Sequence, residues 1–160
     1  MGCGKSSVGR KLSQLLCCPF MDLDDDIEAA AGKSIPEIFA QDGEEAFRKI
    51  EAERLRTVLD SDTEMVLSLG GGTVTRAECA EMVKGKTFCV YLKASTDTLV
   101  SHLEGETAHR PMLQGGSLRE KISALMSLRS GIYEDTAHAI VDTDGKSIDE
   151  IATAIMDLTR

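Results

Sequence analysis

The residues most suited to chemistry open the chain, in the run Met1-Gly2-Cys3-Gly4-Lys5-Ser6-Ser7. Gly4, Lys5 and Ser6 match the last three positions of the phosphate-binding pattern G-x-x-x-x-G-K-[ST]. In that pattern the glycines turn backbone N–H groups inward, the lysine reaches the β- and γ-phosphates, and the hydroxyl ligates Mg²⁺. We therefore interpret residues 2–7 as a candidate phosphate-binding loop, with a glycine-rich turn as the alternative.

Acidic residues stand at the carboxyl end of the next predicted element, a short strand over residues 17–23. Asp22 and Asp24 are two residues apart, so an extended backbone would point both carboxylates to the same side. Two such carboxylates suit a site in which both act around one Mg²⁺ ion. The alternative is a solvated first turn of a helix, which is the preferred interpretation of Asp25 and Asp26.

Three glycines, Gly70, Gly71 and Gly72, follow an apolar run over 64–69 that is typical of a buried parallel strand. They leave backbone N–H groups uncovered at the carboxyl edge of the predicted sheet. We favour a loop that contacts substrate over a flexible turn, because the segment leads from a buried strand toward a new helix.

Three arginines stand where an anionic substrate would need local positive charge. Arg48 lies near the start of a predicted helix over 44–59, and taken alone it is typical of a surface ion pair. Arg110 lies in a stretch without periodicity, 104–116, which contains a glycine pair and which we interpret as a lid. Arg129 lies on the long helix that follows.

Strands alternate with helices along the whole chain. The strands are predicted over 17–23, 64–69, 87–92 and 139–142. This alternation predicts one α/β domain over residues 1–160, a doubly wound parallel sheet with flanking helices and a lid.

The pattern's first glycine and the strand that should feed the loop have no counterpart in the sequence. We expect them to lie upstream of Met1, which would then not be the natural start of the working enzyme. Such a strand is central in this fold, so without it we expect a gap in the sheet, with backbone groups left unpaired on both sides.

The amino-acid composition limits which binding partners and which cellular compartment we expect for this chain. The 27 acidic and 18 basic residues give a formal net charge of −9, which opposes binding to nucleic acid. No apolar run approaches the roughly 18 residues that a membrane span needs. Five cysteines without a C-x-x-C pair suit free thiols in a reducing compartment, and Cys17, Cys18 and Cys89 are expected to be buried. We therefore expect a cytoplasmic monomer that acts on a small molecule.

In their order and spacing, the motifs resemble those of the shikimate kinases, and the resemblance covers nearly the whole chain. The motifs are Met1-Gly2-Cys3-Gly4-Lys5-Ser6, Phe20-Met21-Asp22-Leu23-Asp24-Asp25-Asp26-Ile27-Glu28, Gly43-Glu44-Glu45-Ala46-Phe47-Arg48, Leu69-Gly70-Gly71-Gly72, Arg110-Pro111-Met112-Leu113, and Arg129 four residues before Tyr133.

The resemblance implies a P-loop kinase that transfers the γ-phosphoryl group of ATP to the 3-hydroxyl of shikimate, in the biosynthesis of aromatic amino acids. On the nucleotide side it implies that Lys5 and the amides of the loop hold the phosphates, while Ser6 and Asp22 hold Mg²⁺. The implied nucleotide-binding residues are Gly2, Cys3, Gly4, Lys5, Ser6, Ser7 and Arg110.

On the substrate side, the resemblance implies that Asp24 binds the attacked hydroxyl and accepts its proton. Arg48 and Arg129 would bind the substrate carboxylate, which planar guanidinium forks suit. Arg110 would come in with the lid against the transferring phosphoryl group. The implied substrate-binding residues are Asp24, Arg48, Gly70, Gly71, Gly72 and Arg129, and the implied catalytic residues are Lys5, Asp24 and Arg110.

One position departs from the family's pattern. Gly131 stands where a proline usually follows the second substrate arginine, and we expect it to loosen a turn there.

Two alternatives to the implied function remain. A small-molecule kinase of the gluconate type would keep Gly4, Lys5 and Ser6 without pairing two arginines, and a substrate panel separates it. An inactive ATP-binding protein derived from a kinase would not need the proton-accepting carboxylate or the lid arginine.

Overall fold

The computed structural model describes residues 4–104 and 117–160, in which four short parallel strands alternate with helices. The elements are α1 (Lys5–Leu16), β1 (Phe20–Asp22), α2 (Leu23–Ala31), α3 (Ile35–Asp42), α4 (Glu44–Leu59), β2 (Val66–Ser68), a 3₁₀ turn (Thr73–Thr75), α5 (Ala77–Lys86), β3 (Val90–Lys93), α6 (Thr96–Leu103), α7 (Leu118–Thr136), β4 (Ala139–Asp142) and α8 (Ile148–Leu158).

Side-chain hydrogen bonds cap the amino ends of several of these helices. Ser34 and Ser147 each form a complete capping box with the glutamate three residues later, at the starts of α3 and α8. The Ser117 hydroxyl accepts a hydrogen bond from the Glu120 N–H at 3.4 Å and so caps α7. These polar contacts are local in sequence, which is why the helix starts were predictable.

The first strand is shorter than the predicted 17–23. Cys17 has a left-handed φ of 54° at the end of α1. Pro19 has no N–H to donate, so regular pairing starts at Phe20.

The strands form two parallel pairs. β1 pairs with β2, so that Phe20 lies opposite Val66, and β3 pairs with β4, so that Val90 lies opposite Ala139. The segments that lead into β2 and β3 lie close together, since Asp60, which precedes β2, forms an ion pair with Lys86, which precedes β3.

Helices cover both faces of the two pairs. On one face α1 and α8 pack together, and their buried side chains form a core with Val141 of β4. On the other face α2, α3, α4 and α5 bury a larger core. Its fully buried members are Leu23, Ile27, Ile38, Leu55 and Cys79. A third cluster joins α6 to α7.

A gap separates β2 from β3. In the described part of the chain each belongs to a different two-stranded sheet. Between them lies a cavity of about 610 Å³, which we call the inter-sheet cavity; α1, β2, α5 and β3 contribute to its lining. The gap agrees with our expectation that these strands do not close into one sheet.

The expectation that Cys17, Cys18 and Cys89 are buried was wrong. Cys17 is exposed at the end of α1, while Cys18 and Cys89 are half-buried and Cys79 is buried. Burial raises the pKa of the Cys79 and Cys89 thiols, so both stay neutral around pH 7. Among the residues described, no helix is both long and apolar enough to cross a membrane.

Candidate active site

The phosphate-binding loop leads into the amino end of α1. Gly4 has a left-handed φ of 78°, and its carbonyl accepts the first helical hydrogen bond, from the Val8 N–H at 2.9 Å. The N–H groups of Lys5, Ser6 and Ser7 therefore have no acceptor within the helix. Unpaired donors and the positive end of the helix dipole favour an anion at this point. Gly2 and Cys3 lie outside the described residues.

A serine and an aspartate supply oxygen atoms beside this helix end. The Ser6 hydroxyl donates to Asp22 Oδ2 at 2.7 Å, and Asp22 Oδ1 accepts from the Asp24 N–H at 2.9 Å. Hydroxyl and carboxylate oxygens are the hard ligands that Mg²⁺ prefers. Within residues 4–104 and 117–160 no group of three or more acidic, histidine or cysteine side chains could hold a metal. The Ser6 hydroxyl and the Asp22 carboxylate are thus of the ligand type that a Mg²⁺ ion takes.

The predicted geometry of the two aspartates was wrong. Asp22 ends β1 and caps α2, but Asp24 lies in the first turn of α2 rather than on an extended backbone. The two carboxylates consequently face different neighbours. Asp22 contacts Ser6, whereas a Cβ atom added to Gly70 would stand 2.9 Å from Asp24 Oδ1. The structure thus separates a metal-side carboxylate from one beside the glycine loop, which we define as Gly70 to Gly72.

Arg48 belongs to a buried network. Its Nη1 donates to Glu51 Oε1 at 2.8 Å, and the Thr73 hydroxyl donates to Glu51 Oε2 at 2.9 Å. Arg48 is 8% exposed, Glu51 1% and Thr73 0%. A buried carboxylate held by a cation and a hydroxyl is fully paired, and it fixes the direction of the guanidinium. Arg48 is therefore not the surface ion-pair residue that its sequence position alone suggests.

The glycine loop lies directly against this network. A Cβ atom at Gly72 would stand 2.7 Å from Arg48 Cζ, closer than van der Waals contact allows. At Gly70 an added Cβ would stand 3.5 Å from Glu51 Oε2. The absence of side chains thus lets the loop backbone approach Arg48, Glu51 and Asp24.

Helix α7 is attached to the same loop. The Tyr133 hydroxyl donates a hydrogen bond to the Gly71 carbonyl, and the Tyr133 ring lies 5.2 Å from that of Tyr91. Arg129 is buried, and it lies one helical turn before Tyr133 on the same face of α7. Gly131 is inside this helix rather than in a turn, so the expected loosening of a turn does not apply.

The structure thus joins most of the residues selected from the sequence. It brings Ser6 to Asp22, and it brings Asp24 and Arg48 to the glycine loop. Arg110 and residues 105–116 of the predicted lid lie outside the described residues.

Sequence reasoning missed Glu51 and Thr73. The spacing of Arg48 and Glu51, three residues apart on one predicted helix, places both on the same helical face and could have revealed the pair. No local pattern pointed to Thr73, because its contact with Glu51 spans 22 residues.

Comparisons with known proteins match this chain over its whole length. The family model described as shikimate kinase matches residues 1–160. A curated shikimate kinase from Dictyoglomus turgidum is 42% identical over 162 residues, which cover 100% of this chain and 93% of that protein. One from Marinomonas sp. is 37% identical over 161 residues, which cover 100% of this chain and 88% of that protein.

A solved structure agrees with the fold as well. The structure of shikimate kinase from Acinetobacter baumannii in complex with shikimate matches with a TM-score of 0.96 at 33% identity, over 99% of this chain and 88% of that chain. The phosphate-binding helix end, the serine–aspartate pair and the buried arginine described above therefore lie on a P-loop kinase fold. The chain belongs to the shikimate kinase family, whose members are ATP- and Mg²⁺-dependent enzymes that phosphorylate shikimate.

Proposed function

We propose that this chain transfers the γ-phosphoryl group of ATP to the 3-hydroxyl of shikimate with the residues assembled here. The observation that carries the proposal is the buried Arg48–Glu51–Thr73 network, which lies against the glycine loop beside Asp24. A fixed, desolvated guanidinium suits one planar anion, and shikimate carries one carboxylate.

On the nucleotide side, the Lys5 ammonium and the unpaired N–H groups of Lys5, Ser6 and Ser7 bind the phosphates of ATP. Ser6 Oγ and the Asp22 carboxylate hold Mg²⁺, directly or through water. When bound, the ion neutralises the charge that develops on the phosphate oxygens. We assign Gly2 and Cys3 to this loop from the sequence pattern.

On the substrate side, Asp24 accepts the proton of the attacked hydroxyl as its oxygen bonds to the γ-phosphorus. The bond between the γ-phosphorus and the β–γ bridging oxygen breaks, and that oxygen leaves with ADP. Arg48 and Arg129 bind the carboxylate, while the glycine loop approaches the ring. Together they hold the hydroxyl in line with the phosphorus. Arg110 approaches the transferring phosphoryl group with the lid, an assignment that rests on its sequence motif.

We also propose that the chain works as a single-domain, cytoplasmic monomer that does not bind nucleic acid. The net charge of −9 supports the last point. Light scattering at micromolar concentration tests the oligomeric state.

A coupled ADP-release assay with a panel of acceptors tests the activity. We expect a Mg²⁺-dependent rate with shikimate and none with gluconate. Shikimate methyl ester is the matched control, because it keeps the ring and the hydroxyls but removes the anion. It should react only weakly. Phosphorylation of gluconate without phosphorylation of shikimate would favour the gluconate-type alternative, and ATP binding without any turnover would favour the inactive protein.

A further inference from the structure

Local hydrogen bonds hold two of the three carbonyl groups in the glycine loop. The Gly70 carbonyl accepts from the Thr73 N–H at 3.2 Å. The Gly72 carbonyl accepts from the Thr75 N–H at 3.2 Å and from the Thr75 hydroxyl at 2.6 Å. Each of these bonds spans three residues, as in a 3₁₀ turn. The local turn therefore fixes the orientation of these two carbonyl groups.

The third carbonyl, that of Gly71, is held by a distant part of the chain. It accepts a hydrogen bond from the hydroxyl of Tyr133 on α7, 62 residues away in sequence. Within residues 4–104 and 117–160 no backbone N–H donates to this carbonyl. The orientation of the peptide group between Gly71 and Gly72 thus depends on Tyr133.

Glycine at position 72 makes this peptide group easy to rotate. Gly72 has a φ of −101° in the structure. Rotating the peptide group by half a turn would make this φ positive, which glycine tolerates and most other residues do not. The Gly71 oxygen and the Gly72 N–H lie on opposite sides of the planar peptide unit. In the rotated state an acceptor therefore stands where the N–H donor was.

The same peptide group lies beside the proposed carboxylate site. A Cβ atom added to Gly72 would stand 2.4 Å from Arg48 Nη2 and 2.6 Å from Nη1. Among the backbone carbonyls of the described residues none accepts a hydrogen bond from the Gly72 N–H. An anion near Arg48 is attracted by an N–H group and repelled by a carbonyl oxygen. The orientation of this peptide group therefore affects the affinity for such an anion.

Packing holds the Tyr133 side chain in place. Its ring lies 5.2 Å from the ring of Tyr91 on β3, and it is half-buried against the core formed by α2, α3, α4 and α5. Because the packed ring has already lost its rotamer freedom on folding, its hydrogen bond to Gly71 orders nothing further. The hydroxyl is thus a fixed donor toward the glycine loop.

We propose that Tyr133 is a positioning residue for shikimate binding, whose hydroxyl holds the Gly71–Gly72 peptide group with its N–H toward the substrate. This inference rests on the proposed function, in which the glycine loop contacts shikimate. Without the hydroxyl the two orientations of the peptide group mix. The apparent affinity for shikimate then falls in proportion to the fraction of molecules in the competent orientation.

Tyr133→Phe tests the role of the hydroxyl, because it keeps the ring that packs on Tyr91. We expect the KM for shikimate to rise about two- to tenfold, the range that one hydrogen bond supplies. The KM for ATP should change less than about twofold. Steady-state kinetics with each substrate varied in turn measures both constants.

Thr136→Val is the matched control, because it also removes a buried hydroxyl from α7. Thr136 is 4% exposed and donates within its own helix, to the Ile132 carbonyl at 2.7 Å. Both variants lose one hydrogen bond, so thermal melts should show similar, small losses of stability. The KM for shikimate should rise in Tyr133→Phe alone.

NMR of the protein labelled with ¹⁵N-glycine reports the peptide group directly, without substrate. We expect one sharp Gly72 amide signal in the wild type and a broadened or split signal in Tyr133→Phe, with the signals of Gly85 and Gly145 unchanged. An unchanged Gly72 signal, or a KM shift no larger than in Thr136→Val, would overturn the inference.

Arg48→Lys in the same assay separates this inference from the proposed function. If Arg48→Lys raises the KM for shikimate while Tyr133→Phe behaves like Thr136→Val, the proposed site stands and only the role of Tyr133 is refuted. If Arg48→Lys leaves that KM unchanged, the proposed site fails and the inference fails with it.

Discussion

At the scale of single residues, the direction of the Arg48 guanidinium depends on Glu51. Nη1 is bonded to Glu51 at 2.8 Å, and Nη2 lies 3.6 Å from Glu44, which is half-exposed. Glu51 itself is 1% exposed, so its charge is compensated by Arg48 and by Thr73 rather than by water. In the proposed site, this buried carboxylate thus fixes the guanidinium that would bind the substrate carboxylate.

Replacing Arg48 by lysine should weaken shikimate binding. Lysine keeps the charge but cannot contact Glu51 and a substrate carboxylate with one planar fork. We expect a loss of about 1.5–3 kcal/mol, which is roughly a ten- to hundredfold rise in the KM for shikimate with little change in the KM for ATP. Steady-state kinetics with each substrate varied in turn measures both constants.

Arg56→Lys is the matched control, because Arg56 lies on the same helix, is half-exposed and stands 4.0 Å from Glu78. It should leave both constants unchanged. Lys5→Ala should instead act on the nucleotide side. Equal increases in the KM for ATP in the Arg48 and Lys5 variants would contradict this division of roles.

Removing Glu51 should lower the free energy of unfolding. Glu51→Ala leaves the Arg48 cation buried without its partner, which costs about 3–5 kcal/mol. Glu51→Gln keeps an acceptor for Thr73 and should cost less, about 1–3 kcal/mol. Urea denaturation followed by circular dichroism measures both values.

Glu53→Ala, two residues away and exposed, is the control and should stay within about 0.5 kcal/mol of the wild type. If Glu51→Ala were as stable as Glu53→Ala, the buried network would not contribute to the fold.

At the scale of elements, local signals located all four strands but gave the limits of only one. β2 and β3 are Val66–Ser68 and Val90–Lys93 rather than the predicted 64–69 and 87–92. α4 and β4 have the predicted limits, 44–59 and 139–142, and Gly43 stands directly before the first residue of α4. The arrangement of Asp24 was not predictable in the same way. The choice between strand and helix at Leu23 depends on Asp22, whose side chain caps α2 through the Asp24 N–H.

The glycine loop also shows why the site was only partly predictable. Its position after a buried strand indicated a substrate-contacting loop, but its neighbours come from distant segments. Gly72 approaches Arg48 of α4, and Gly71 accepts a hydrogen bond from Tyr133 of α7. Contacts of this sequence separation leave no periodic pattern in the chain.

Two glycine-to-alanine substitutions should affect different quantities, one the KM for shikimate and the other the free energy of unfolding. Gly72→Ala would place a Cβ atom 2.7 Å from Arg48 Cζ and displace the guanidinium, so the KM for shikimate should rise at least about tenfold. Gly131→Ala on α7 has no atom within 4 Å of the added Cβ, and should raise the free energy of unfolding by about 0.5–1 kcal/mol without changing kinetics. Thermal melts and steady-state assays on both variants test this.

At the scale of the whole molecule, α1 and α8 hold the two strand pairs together. α1 contacts β1 and β2, α8 contacts β4, and the two helices pack along each other. In the described part of the chain β2 and β3 lie on either side of the inter-sheet cavity, whose lining includes Lys5, Gly70 and Gly71. Because α1 begins at Lys5 and contacts both β1 and β2, it links the phosphate-binding loop to the strand that leads into the glycine loop.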